Sequence, residues 1–128
     1  DPGAVYDDVR AVVDAAEGRI VKVILETVLL SEEERVTAAV AAIRAGAAIL
    51  KTSTGFASGG ATVEDLAMLR LVAGAERGVK AAGGIRSLEF ARACIDAGAD
   101  RLGASATVSI LGEAAGETAQ SDSEGGGY

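Results

Sequence analysis

The sequence contains no histidine, no tryptophan, one cysteine and one proline. Each shortage closes off a chemistry. Without histidine there is no Ser-His-Asp or Cys-His catalysis and no His-ligated zinc or iron. A single cysteine, Cys94, excludes an internal disulfide, a Cys-x-x-Cys redox pair and a cysteine-built metal site. Aromatic residues make up 3% of the chain, and Tyr6, Phe56, Phe90 and Tyr128 are too scattered to form a stacking platform. Positive charge is scarce as well. Twelve Lys and Arg face 19 Asp and Glu, for a net charge of −7, which speaks against nucleic acid and anionic membrane surfaces as partners. No run approaches the ~20 apolar residues of a membrane span. No basic segment followed by an apolar one opens the chain as a signal peptide would. The expected location is the cytoplasm, where a lone thiol stays reduced. Acid–base or nucleophilic chemistry is left to Lys, Asp, Glu, Tyr and hydroxyls, with no metal or cofactor expected.

What is present is an aliphatic chain. Hydrophobic residues reach 49%, nearly all Ala, Val, Leu and Ile, with 17 glycines between the apolar runs. The length fits one domain. Val5, Val9, Val12, Val13 and Ala16 recur at helical spacing, and Gly18 ends that helix. Val21 to Thr27 is short and rich in β-branched residues, and reads as a strand. Ser31 to Glu34 is a capping box; the helix behind it carries Val36, Ala39, Val40 and Ile43 and ends at Gly46. Ala47 to Ser53 reads as a second strand, and Thr54 to Gly60 as a glycine-rich loop. Thr62 caps a third helix with Leu66, Leu69 and Val72 on its stripe. Gly78 to Ala82 is a third strand. Ser87 caps a fourth helix through Ala91, Cys94 and Ile95, which places the thiol in the core. Asp100 to Ser105 is a fourth strand and its exit, and a short helix follows over 107–111. Residues 112–128 are acidic, poor in large apolar groups and end in three glycines and Tyr128, the composition of a disordered tail.

Strands and helices alternate strictly, which demands a parallel sheet with helical crossovers. Ile43 to Ala47 matches Ile95 to Ala99 in pattern, each closing a helix before a strand. Lys22, Lys51 and Lys80 are evenly spaced, one in each of three successive strands. A unit of roughly 30 residues is the module of a (β/α)8 barrel of ~250 residues. Four such units are half of a barrel.

The lysines are the first chemical signal. A lysine inside a parallel strand is costly, because both faces of such a sheet are normally covered. Clustered ammonium groups, and burial, lower the pKa of each. A lysine so tuned is an amine nucleophile able to form a Schiff base with a carbonyl substrate. The plainer reading is that each sits at a strand end and snorkels, or pairs with Glu26. The second signal is glycine at strand exits. Gly83 and Gly84 precede the helix capped by Ser87, and Gly103 to Ser105 precede a helix near residue 107. Glycines admit an anion to the backbone, helix N-termini point free N–H groups at it, and Arg86 adds a charged clamp. Short turns built from small residues are the alternative explanation. Glu26 could serve as a general base, although a strand-end pairing with Lys22 is the simpler expectation.

Four segments together resemble the deoxyribose-phosphate aldolase family. They are Val21 to Thr27, Leu50 to Phe56 (containing Lys51-Thr52-Ser53-Thr54-Gly55), Gly59 to Thr62, and Val79 to Arg86. The resemblance runs from Val5 to Leu111 and implies a class I aldolase on a (β/α)8 barrel. Such an enzyme interconverts 2-deoxy-D-ribose 5-phosphate with D-glyceraldehyde 3-phosphate and acetaldehyde. By resemblance, Lys51 is the Schiff-base lysine. Lys80 is the second lysine, which keeps Lys51 deprotonated and takes part in proton transfer. Lys22 and Thr54 support them. Gly55 flanks the pocket, and Gly83, Gly84, Arg86, Gly103 and Ser105 hold the substrate phosphate. The family's second serine after Ser105 is Ala106 here. Its catalytic aspartate and first four strands have no counterpart in the chain. The sequence is therefore expected to be the C-terminal half of an aldolase domain over 1–111, with the tail over 112–128. It is expected to bind a small phosphorylated sugar, to have impaired turnover and to associate with itself. Two alternatives stand beside this: a non-catalytic half-barrel that binds phosphorylated sugars or serves assembly, and another Schiff-base barrel aldolase of transaldolase type.

Overall fold

The computed structural model describes residues 1–125. Its elements run α1 (Pro2–Ala15), β1 (Lys22–Ile24), a 3-10 turn (Thr27–Leu29), α2 (Glu32–Arg44), β2 (Ile49–Lys51), α3 (Val63–Ala73), β3 (Gly78–Ala82), α4 (Leu88–Ala97), β4 (Arg101–Gly103) and α5 (Thr107–Gly125). The helices start where their caps dictate. Ser31 Oγ accepts from the Glu34 N–H, and the Glu34 carboxylate accepts from the Ser31 N–H. Thr62 and Ser87 accept from the N–H groups of Asp65 and Phe90. Each such cap satisfies a donor the helix cannot, and is worth roughly 1 kcal/mol. No helix among the described residues is long and apolar enough to cross a membrane.

The four strands form one parallel sheet in the order β1-β2-β3-β4. This is the α/β architecture that strict alternation demands, four successive βα units as in half of a (β/α)8 barrel. Val23, Leu50, Val79, Ala81 and Leu102 share one face and pack with the helices. Leu50, Val79 and Ala81 are fully buried there, as are Leu66 and Leu69 of α3 and Cys94 of α4. Each buried Leu contributes roughly 2 kcal/mol by transfer from water. Ala39 and Ala42 of α2 and Ala45, which caps it, are fully buried. Their small side chains explain how an alanine-rich, aromatic-poor chain still closes its core.

Two segments differ from expectation. The first strand ends early: Glu26 is left-handed at φ 53°, ψ 61°, and Thr27 begins the 3-10 turn. The cause is an extra residue in the ladder. The Leu25 N–H donates to the Lys51 carbonyl, but the Thr27 N–H, two residues on, donates to that of Thr52, only one residue on. Glu26 is the bulged residue. The second difference lies in the tail. Helix α5 continues to Gly125 rather than stopping near Leu111. Its alanines and glutamates are strong helix formers and no proline interrupts them. The Glu113 carboxylate accepts from the Leu88 N–H at 2.8 Å, joining α5 to the start of α4. The last three residues of the expected tail, 126–128, lie outside the described residues.

An ionic cluster built on Arg70 lies at the N-terminal ends of β3 and β4. Arg70 of α3 donates to the carbonyls of Gly98, Gly74 and Arg77 and to the Asp100 carboxylate. Asp100 also accepts from the Val79 N–H at 2.9 Å. That backbone bond, with help from Arg70, holds the Asp100 carboxyl below the ordinary aspartate range. A depressed carboxylate stabilises the fold above its unfolded pKa of about 4 and loses that effect as pH falls through the lower, folded value. Asp100→Ala should therefore lower the urea midpoint at pH 7 and lower it less near pH 2. Equal loss at both pH values would show that the charge plays no part.

Candidate active site

Register places the basic side chains. Residues paired across a parallel sheet point to the same side, and side chains alternate along each strand. Lys51 is opposite Lys80, and Lys80 is opposite Arg101. Lys22 is opposite Ile49, one step earlier on the same face. All four cations therefore lie on the face away from the helical core. The cost assigned to a lysine buried on both sides is reduced, because all four side chains keep access to solvent on this face. Lys51 and Lys80 are half-buried, and Lys22 and Arg101 are exposed. The face carries no carboxylate within the four strands, and Asp100, just before β4, interacts with Arg101.

Lys80 feels this most. Burial, then the ammonium groups of Lys22 and Lys51, hold its amine below the ordinary lysine value. The closeness of the Lys22 side chain and the nearby Arg101 charge act in the same direction. Gly103 makes room for the side chain, since a Cβ there would stand 3.2 Å from Lys80 Cε.

At the C-terminal ends of β2, β3 and β4 lies a cavity of about 400 Å³. Lys51, Thr54, Gly55, Gly83, Gly84, Arg86, Gly103 and Ser105 line it, with Phe56, Ala82, Ile85 and Ala104. Eight expected site residues thus come together. Lys22 and Lys80 do not line the cavity; Lys80 is paired with Lys51 on the next strand, and Lys22 lies on β1 opposite Ile49. The floor is rigid. Thr52 Oγ1, fully buried, donates to the Ala82 carbonyl and accepts from the Ala82 N–H, both at 3.1 Å. The Gly59-Gly60 turn closes against β3: the Ala61 N–H donates to the Gly83 carbonyl at 3.0 Å. A Cβ on Gly60 would lie 2.2 Å from that carbonyl oxygen, so only glycine fits. Gly83 and Gly84 have positive φ and expose backbone toward the cavity beside Arg86, an arrangement suited to an anion.

The rim departs from expectation at Glu26. No ion pair joins it to Lys22 among the described residues. Its carboxylate instead accepts the Thr54 N–H, both oxygens at 3.2 Å. The left-handed backbone that permits this costs a non-glycine residue roughly 1 kcal/mol. Sequence reasoning also missed Arg35. Its guanidinium donates to the Thr27 carbonyl at 2.8 Å and to the Asp65 carboxylate at 3.1 Å, tying α2 and α3 to the β1 exit. Asp65 lies in the capped first turn of α3. A partner 30 positions away leaves no local signal.

The lysine cluster makes a direct prediction. Removing a like charge favours protonation of what remains. Lys22→Met should raise the Lys80 pKa toward the ordinary value, and Lys22→Arg should leave it low. An NMR titration of the side-chain amines checks this; a Lys80 pKa indifferent to both changes would refute the coupling.

Comparison with known proteins agrees with this geometry. No family profile matches the chain. A deoxyribose-phosphate aldolase of Streptococcus sanguinis is 60% identical over 104 residues, covering 81% of this chain and 47% of the relative. That of Exiguobacterium sibiricum is 53% identical over 122 residues, covering 95% and 54%. Among solved structures, an aldolase named QR15 superposes with a TM-score of 0.79 at 42% identity, over 88% of this chain and 51% of that one. The deoxyribose phosphate aldolase of Aeropyrum pernix, described as tetrameric, gives 0.77 at 41% identity, over 86% and 48%. The chain spans about half the length of the curated relatives it matches. By sequence and by fold, the chain is similar to deoxyribose-phosphate aldolases over about half of their length.

Proposed function

We propose that the chain carries the Schiff-base and phosphate-binding half of a class I aldolase acting on 2-deoxy-D-ribose 5-phosphate. The observation that carries this is the pairing of Lys51 with Lys80 on the open face, with Lys51 alone lining the glycine-walled cavity. Neutral Lys51 Nζ attacks the C1 carbonyl of the open-chain sugar, and loss of water leaves an iminium ion. The C3 hydroxyl proton departs and the C2–C3 bond breaks. Its electron pair moves into the iminium to give the enamine of acetaldehyde, while C3 leaves as the aldehyde of glyceraldehyde 3-phosphate. Protonation at C2 and hydrolysis then free acetaldehyde and Lys51.

Lys80 has two roles in this scheme. Opposite Lys51, it sets a like charge beside the reacting amine; its lowered pKa eases the taking and returning of a proton. Lys22 supports that tuning from β1. Thr54 and Gly55 form the rim. Gly83, Gly84, Gly103 and Ser105 offer backbone and hydroxyl donors to the phosphate, and Arg86 supplies its counter-charge. The chemistry asks for no metal. No residue of this chain is assigned to remove the C3 proton. That gap favours a second reading, in which the isolated chain binds the phosphorylated sugar and forms the imine but turns over poorly.

Borohydride reduction in the presence of acetaldehyde tests the scheme. Mass spectrometry should find an ethyl group on Lys51, and Lys51→Leu should abolish it; labelling confined to exposed lysines would end the proposal. Self-association belongs to the same reading. The sheet edges at β1 and β4 bear no further strand among the described residues, and unpaired edges invite pairing. Light scattering should report a dimer or larger species, and a stable monomer at micromolar concentration would exclude it.

A further inference from the structure

We infer that Glu26 is a positioning residue for the cavity rim, holding the Thr54-Gly55 segment over Lys51 so that a phosphorylated substrate is bound in reach of the amine. The inference deepens the aldolase reading, and its consequence for substrate rests on that reading.

The geometry is unusual for a glutamate at the end of a strand. Glu26 is one of two described non-glycine residues with positive φ, the other being Glu17. Glu17 adjoins the exposed turn after α1, whereas Glu26 stands between β1 and the cavity. It is held there from both sides. Leu25 and Thr27 are each bonded to β2 through their N–H groups. Thr27 is fully buried, and its carbonyl accepts from Arg35, itself bonded to Asp65. The neighbours thus force the bulge, and a bulge beside a site commonly re-aims a side chain.

The re-aimed carboxylate reaches the Thr54 N–H, three residues beyond Lys51. Thr54 in turn accepts the Phe56 N–H on its hydroxyl at 3.2 Å. The carboxylate is therefore the first link of a short chain that runs along the rim. The rim has little else to fix it. Thr54, Gly55 and Phe56 are exposed, Phe56 being 96% accessible, and Gly55 has φ +93° with open space around it. All three line the cavity. A charge-assisted bond to a backbone N–H is among the stronger contacts available at such a surface. The carboxylate accepts from backbone here, which is a holding role and not that of a base.

Strain and contact make opposite predictions, and this separates positioning from mere stability. Glu26→Gly removes the carboxylate and suits the left-handed backbone. Glu26→Ala removes the carboxylate and keeps the strain. Glu26→Gln keeps an oxygen that accepts the Thr54 N–H. Two measurements decide. The first is amide hydrogen exchange at Thr54, read without any substrate. Exchange should quicken about tenfold or more in Glu26→Ala and Glu26→Gly, and stay within about twofold of the parent in Glu26→Gln. The second is reductive trapping at Lys51 as a function of ligand concentration. The half-saturating concentration of 2-deoxyribose 5-phosphate should rise about fivefold or more in the Ala and Gly variants. Trapping of acetaldehyde, which has no phosphate to seat, should change less than twofold.

Urea midpoints complete the test, and Glu26→Gly should equal or exceed Glu26→Ala. Unaltered Thr54 exchange in both truncations would overturn the inference. So would a loss of trapping that is equal for both ligands and follows the urea midpoint. If the parent chain shows no labelling at Lys51, the aldolase reading fails by itself, and Thr54 exchange alone then decides whether Glu26 holds the rim.

Discussion

The structure turns on the register between β2 and β3. One parallel pairing sets Leu50 against Val79 on the helical side and Lys51 against Lys80 on the other. The same alternation builds the core and the charged row. A slip of β3 by one residue would drive the Lys80 ammonium into the core and turn Val79 to the open face. Burial on one face therefore enforces the proximity of charges on the other. The electrostatic cost of gathering cations is met by hydrophobic packing on the far side of the same strands.

The two ends of the sheet divide the work. Arg70 and Asp100 join α3 to β3 and β4 at the N-terminal ends, using backbone carbonyls and a carboxylate already committed to Val79. At the C-terminal ends the backbone opens through Gly55, Gly83, Gly84 and Gly103, and donors face a cavity. Parallel βα architecture places reactive residues at the C-terminal ends and stabilising ones at the other. Thr52 and Gly60 link the two tasks by fixing adjacent loops to β3 beneath the cavity.

Much of this was legible before any coordinates. Ser31, Thr62 and Ser87 marked helix starts, because a cap is a local rule with a chemical reason. The strands followed from short β-branched runs between glycines. The lysines were visible as candidates through their even spacing alone, and resemblance to an aldolase family gave them roles. Three things were hidden. The Glu26 bulge depends on how two strands meet, and Glu26-Thr looks like ordinary strand. The Arg35–Asp65 bond joins residues distant in sequence. The helix beyond Leu111 looked like a tail because its composition lacks large apolar residues, yet alanine and glutamate favour helix without them.

The sequence by itself determined the alternation of elements, the parallel class of the sheet, the identity of the cavity glycines and the candidate lysines. These rest on local propensity and on period, which each segment carries alone. Only the tertiary structure decided that Lys22, Lys51, Lys80 and Arg101 share one face, that Lys51 lines the cavity while its paired Lys80 does not, and that Glu26 turns from Lys22 to Thr54. Those outcomes depend on register and on the packing of one face, which no segment specifies until its neighbours are in place.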